Sequence, residues 1–249
     1  MKKLSYKKNR NRLWIAAAGV LLALLHIWVR NTTFNIDCDR AHYYPDLYDF
    51  LNYILVGKDI GKICYLEYTD LELFLQPISF LVFGLFIAGS YFLSKPTGYF
   101  QYCYTRYRNE KTFIKALRQE HLSWIFIYSI TYYVTLLVVG CRCSYQIHDW
   151  KAILSAISIG ILMKILFFVM MKELMLLYFL KKGLISAILS GILGSIILLM
   201  MNVAMSGIKM NVLLFSDQVS ISGILFLIIG YIILRIVNKK ADLLELEHI

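Results

Sequence analysis

The chain has 249 residues, of which 59% are hydrophobic, and a mean hydropathy of +0.63. A soluble domain carries about a quarter charged residues; here 17% are charged, clustered between apolar runs long enough to cross a hydrocarbon core of roughly 30 Å. That pattern excludes an ordinary soluble domain. The net charge of +10 does not mark a nucleic-acid binder, because Lys and Arg sit in short segments between apolar runs and form no soluble basic face. The expected fold is an all-α integral membrane protein: a single transmembrane domain with six spans and both termini in the cytoplasm.

The first span is expected at about 13–29, after the basic leader MKKLSYKKNRNR. A basic segment before an apolar run also describes a signal peptide, but no small-residue cleavage site follows, so the run reads as an uncleaved anchor. Residues 30–70 read as a polar outer loop rich in Asp and Tyr, within which Asn31-Thr32-Thr33 is a sequon that matters only in a glycosylating host. Later spans are expected at about 73–93, 122–140, 152–171, 184–205 and 221–237. Pro77 falls early in the second, and the fourth has an apolar continuation towards Lys181 and Lys182. The half-polar stretch between spans five and six contains Asn211–Phe215, which fits a re-entrant or interfacial helix as well as a loop.

Charge tests this map. Eighteen of the 26 Lys and Arg residues fall in assigned inner segments, seven in outer segments, and Lys164 alone inside a span. The positive-inside rule favours that bias, and five or seven spans would put a basic end outside.

The five cysteines follow the same division. Cys38, Cys64, Cys141 and Cys143 fall on the outer side and Cys103 on the inner side, the distribution expected where the outer compartment oxidises thiols. Three pairings of four cysteines are possible. Cys38–Cys64 would close the large loop, whereas Cys38–Cys141 with Cys64–Cys143 would lock two loops together. A Cys141–Cys143 bond would close a small, strained ring, so cross-loop pairing ranks higher. A zinc site is the alternative, because His42 follows Cys38 by four residues and His148 follows Cys143 by five, but the spacing is loose and no metal is assigned.

Enzymatic signatures are missing. The chain has no P-loop, HExxH or GxSxG and no paired glutamates on a span, so no catalytic residue or cofactor is assigned. His26 is the one histidine within a span, near its outer end, where it reads as an interfacial packing residue. Lys164 has two readings: a functional intramembrane charge, or a side chain snorkelling towards the cytoplasm. In the fifth span Ala187, Gly191 and Ser195 recur every four residues, a small-xxx-small pattern that lets helices approach closely, within the chain or across a dimer.

The inner segment 94–121, SKPTGYFQYCYTRYRNEKTFIKALRQEH, carries the most specific pattern. Lys95-Pro96 and Gly98 break the preceding span. Beyond them Phe100, Tyr104, Tyr107 and Ile114 share spacings compatible with one helical face, among Arg106, Arg108, Lys111, Lys115 and Arg118. This predicts an amphipathic cytoplasmic helix that lies on the lipid surface or docks into another protein's groove.

The layout resembles type-2 ABC export permeases. The run from Cys103-Tyr104-Thr105-Arg106-Tyr107-Arg108 to Phe113 is similar to the loop of small permeases found with bacteriocin and lantibiotic systems. The resemblance implies that Tyr99, Phe100, Tyr104, Arg106, Tyr107, Arg108 and Phe113 form a coupling helix that engages a separate ATP-binding subunit. It further implies a second permease chain or a homodimer, a peptide substrate, and a location in the bacterial cytoplasmic membrane. The cysteine-bearing first outer loop departs from that pattern. The expected function is a permease subunit exporting, or clearing from the membrane, an amphipathic peptide. A stand-alone immunity or peptide-sensing protein and a membrane-embedded enzyme are the alternatives.

Overall fold

The computed structural model describes residues 2–40, 42, 44–56, 79–87, 110–143, 145–182, 184–204 and 221–241. Its helices are α1 (Lys2–Arg40), α2 (Leu47–Val56), α3 (79–87), α4 (Glu110–Gly140), α5 (Trp150–Lys182), α6 (Leu184–Ala204) and α7 (Ile221–Ala241). Among the described residues no strand forms, and Asp46 and Gln146 make an isolated parallel bridge. Among the described residues three helices are long and apolar enough to cross a membrane, over Asn11–Ile36, Leu122–Gly140 and Trp150–Tyr178. Shorter apolar stretches, Ile185–Ile197 and Gly223–Asn238, lie in α6 and α7. The second span expected at 73–93 is described only over α3.

The exterior is apolar and polar side chains turn inward. Trp14, Leu21, Trp28, Ile185 and Ile233 are exposed, whereas His26, Arg30, Ser129, Lys164, Glu173 and Asn238 are buried. Water would drive the opposite sorting. In hydrocarbon, by contrast, polar groups need partners inside the bundle, and this is the distribution of a membrane protein.

Aromatic packing fills the centre. The Phe80 ring stacks on Tyr128 at 4.9 Å and meets Tyr132 at 4.4 Å, while the Tyr128 hydroxyl donates to the Phe80 carbonyl at 3.0 Å. A Cβ on Gly84 would fall against the Phe168 ring, so only glycine lets α3 sit this close to α5. Gly19 performs the same service between α1 and α4, because a Cβ there would lie 2.8 Å from the Tyr128 carbonyl oxygen.

Contact order along the helices fixes their relative directions. Along α1, Gly19, His26 and Asn35 meet Tyr128, Tyr132 and Tyr145 in turn, so α1 and α4 run parallel. Ser79 meets His26, and Leu85 lies near Gly191, which itself packs on Met175, so α3 lies among α1, α5 and α6. Gly191 and Gly194 meet Met175 and Met171, which sets α6 antiparallel to α5. On α7, Gly230 lies at Met170 and Asn238 at Glu173, in the same sense as α5.

Residues 30–70 are not simply a loop. Helix α1 continues to Arg40 because Phe34 and Cys38, a turn apart on one face, are buried. The chain reverses at His42, whose φ of 51° is left-handed and whose N–H donates to the Asp39 carbonyl at 3.2 Å. Asp46 and Asp49 then cap α2 reciprocally: the Asp49 N–H donates to Asp46 Oδ1 at 2.8 Å, and the Asp46 N–H to Asp49 Oδ2 at 3.2 Å. This is a capping box with a second aspartate in the usual glutamate position. Leu47, Phe50, Leu51 and Ile54 supply the buried face of α2.

Candidate functional site

Two polar features stand out among the described residues. The first is a tie through His26, which is only 4% exposed. Its Nδ1 lies 2.7 Å from the Tyr132 hydroxyl and its Nε2 2.8 Å from Ser79 Oγ. A neutral imidazole donates from one nitrogen and accepts at the other, and either hydroxyl can play the complementary part. One side chain thus holds α1, α3 and α4 together. The residue expected to pack at the interface is an interior junction, because its flanking helices bring hydroxyls to both ring nitrogens.

The second feature is a pocket of ≈ 560 Å³ at the end of the bundle where α1 and α4 finish, lined by Asn35, Cys38, Asp39, His42, Cys143 and Tyr145 among others. Tyr145 builds it. Its hydroxyl donates to Asn31 Oδ1 and Asn35 Oδ1, each at 3.1 Å. Its ring stacks on Phe50 at 4.8 Å and meets Phe34 edge-on at 5.8 Å. Below these rings Arg30 is buried, with its guanidinium 5.2 Å from the Tyr53 ring centroid. The α4–α5 connection is pinned from its other side by the Leu47 N–H, which donates to the Gln146 carbonyl at 3.0 Å. Burial, followed by the neighbouring thiols of Cys143 and Cys38, pushes the Tyr145 phenol up. Burial also pushes the Cys143 thiol up.

The pocket draws together some of the residues singled out by sequence and separates others. Cys38, His42 and Cys143 line it; Cys141 and His148 are exposed and do not. No disulfide joins Cys38, Cys141 or Cys143, so among the described residues the expected bridge is not formed. Cys64 lies outside the described residues. The Cys141 N–H continues the helical register by donating to the Leu137 carbonyl at 2.9 Å, and its side chain is exposed. Among the described residues no group of His, Cys, Asp or Glu is arranged to hold a metal ion.

The remaining candidates are distributed over the bundle. Lys164 is buried inside it, 5% exposed. Ala187 and Gly191 are buried; a Cβ on Gly191 would sit 3.0 Å from Met175, and Ser195 Oγ donates to the Gly191 carbonyl at 2.7 Å. Phe113 lies in the first turns of α4. Tyr99, Phe100, Tyr104, Arg106, Tyr107 and Arg108 lie outside the described residues, as do Cys103 and Asn211–Phe215. Sequence reasoning missed Tyr145, Ser79 and the Glu173–Asn238 pair, in which Asn238 Nδ2 donates to the Glu173 carbonyl at 2.9 Å and to its Oε2 at 3.0 Å. The Asp46-x-x-Asp49 spacing was a visible sign that the 30–70 segment starts a helix.

No family model matches the chain, and no curated protein or solved structure is significantly similar to it.

Proposed function

We propose that this chain is the membrane-spanning permease subunit of an ATP-driven exporter in the bacterial cytoplasmic membrane. It moves, or clears from the bilayer, an amphipathic antimicrobial peptide, with ATP hydrolysed by separate subunits and a second permease chain completing the path. The observation that carries this reading is the continuity of α4. It runs without a break from Glu110 to Gly140, about 46 Å at 1.5 Å per residue. Its first turns belong to the basic, aromatic segment 94–121, and its last leads into the connection whose Cys143 and Tyr145 line the pocket. A push on the Glu110 end is therefore delivered to the Gly140 end by one rigid element.

Two further features support the reading. α1 runs parallel to α4, α6 runs opposite to α5 and α7 runs with α5, which accords with a chain that passes back and forth. The pocket at the Gly140 end offers polar groups and aromatic faces of the kind an amphipathic peptide engages. That same pocket also favours the second reading, a stand-alone immunity or sensing protein that binds such a peptide without an ATPase.

The two separate on the coupling segment. Truncating an aromatic anchor at an interface costs about 2 kcal/mol or more, roughly thirtyfold in affinity. A Tyr104→Ala/Tyr107→Ala double variant should insert and fold normally, yet lose its co-purifying ATPase and its transport. Charge reversal at Arg106 and Arg108 should weaken the contact less, since rim charges act chiefly on association rate. Full activity with normal ATPase retention in the double variant would eliminate the coupling role.

A further inference from the structure

Asn31, Asn35 and Cys38 recur at i, i+4 and i+7 and so share one face of α1. The Tyr145 hydroxyl bonds both asparagines at 3.1 Å, and its ring is held between Phe34 and Phe50. This docking fixes the α4–α5 connection along that face. Cys143, two residues before Tyr145, then lines the same ≈ 560 Å³ pocket as Cys38, on the next turn of α1. Cys141 is exposed and is not among the residues that line it. Cys143 is half-buried and Cys38 is buried, so an oxidant in solution reaches Cys143 first.

We infer that Cys38 and Cys143 are a redox pair, which a small-molecule or protein disulfide converts into an intramolecular bond stapling the end of α1 to the α4–α5 connection. The exchange balances without any other reactant. Cys143 gives its proton to water, and the thiolate attacks one sulfur of the incoming disulfide, releasing one thiolate product. Cys38 then gives its proton to the leaving product thiolate as its sulfur attacks the Cys143 sulfur of the mixed disulfide and displaces that second product. Two protein thiols are oxidised and one external disulfide is reduced to two thiols. The staple spans the pocket wall and holds its two sides at a fixed separation, whether or not the chain is a transporter.

Tryptic cleavage reads the pairing directly. Arg142 separates Cys141, on the peptide 119–142, from Cys143, on 143–151; Cys38 falls on 31–40, and Cys64 shares 63–106 with Cys103 because trypsin does not cut before Pro96. The full-length protein in its native membrane is exposed to oxidised glutathione, quenched with an alkylating reagent and digested without reductant. The expected product is 31–40 linked to 143–151, abolished by dithiothreitol and unchanged in Cys141→Ser. Tyr145→Phe, which loses both asparagine bonds, should form it about tenfold more slowly. Linkage of Cys38 to 63–106 or 119–142 would overturn the pairing. So would alkylation of both thiols after oxidation, or a glutathione adduct on Cys143 that never resolves. An unchanged rate in Tyr145→Phe would overturn the positioning role of that residue.

Discussion

His26 Nδ1 lies 2.7 Å from the Tyr132 hydroxyl, joining α1 to α4 at a depth where Leu22, Ile27 and Leu136 are buried around them. Apolar side chains gain little by leaving lipid for one another, so helix association in a bilayer relies on close packing and on bonds of this kind. Side-chain hydrogen bonds between membrane helices average about 0.6 kcal/mol and reach about 1.7. Tyr132→Phe should lower stability to denaturant in detergent by an amount in that range. Combined with His26→Leu, the loss should fall short of the sum of the two single losses, because the second change removes a bond already broken. Strict additivity would show that the pair is not coupled.

Gly19 should tolerate no larger residue. Its missing Cβ leaves room for the Tyr128 carbonyl oxygen and the Tyr132 amide, and backbone atoms in the middle of α4 cannot move aside. Overpacking of this kind costs about 1–3 kcal/mol, so Gly19→Val should unfold measurably earlier. The control is Leu21→Ala on the exposed face, expected within about 0.5 kcal/mol of the parent. Equal stability of Gly19→Val and the parent would show that α1 and α4 are further apart.

Asn238 and Glu173 make a buried contact between α7 and α5. Asn238→Leu removes both of these donated hydrogen bonds and should cost about 1–3 kcal/mol. The same change in a Glu173→Gln background should cost less, since the side-chain oxygen that accepts from Asn238 has already been replaced. Thermal unfolding of the four proteins in one detergent measures the difference. A larger loss in the Gln background would contradict the arrangement.

The Cys143 thiol is pushed above its ordinary value of 9.0 by burial. Only the thiolate is alkylated at a useful rate, so a raised value leaves less of it at any given pH. The alkylation rate of Cys143, followed on peptide 143–151, should rise about tenfold per pH unit from pH 7 to 9 without levelling. A plateau below pH 9 would mean that the thiol sits in a more open or more electropositive setting.

Cysteines introduced at Ser5, Thr112 and Ala241 should react with an impermeant reagent only from the cytoplasmic side, and one at Asp59 only from outside. Labelling of Thr112→Cys from outside would reject both the six-pass arrangement and the coupling role of the segment that leads into α4.

The amino-acid order by itself determined that this chain belongs in a membrane and roughly where its helices lie. Apolar runs of span length and basic residues gathered between them are one-dimensional signals, set by bilayer thickness and by charge asymmetry. Leu122–Gly140 is recovered with the same boundaries from sequence and from structure. The Asp46–Asp49 cap was legible too, but only to a local reading of 30–70 that did not assume a loop.

Tertiary structure decided which polar residues meet. His26, Ser79 and Tyr132 are far apart in the chain, and each alone is compatible with a lipid interface. Parallel packing of α1 and α4 brings them within bonding distance. Tyr145 docks on Asn31 and Asn35, and Cys143 rather than Cys141 shares a pocket with Cys38, a choice that spacing along the chain left open. Composition sets the solvent a helix accepts, whereas the pairing of buried polar groups depends on helix direction and register, which arise only when the helices pack.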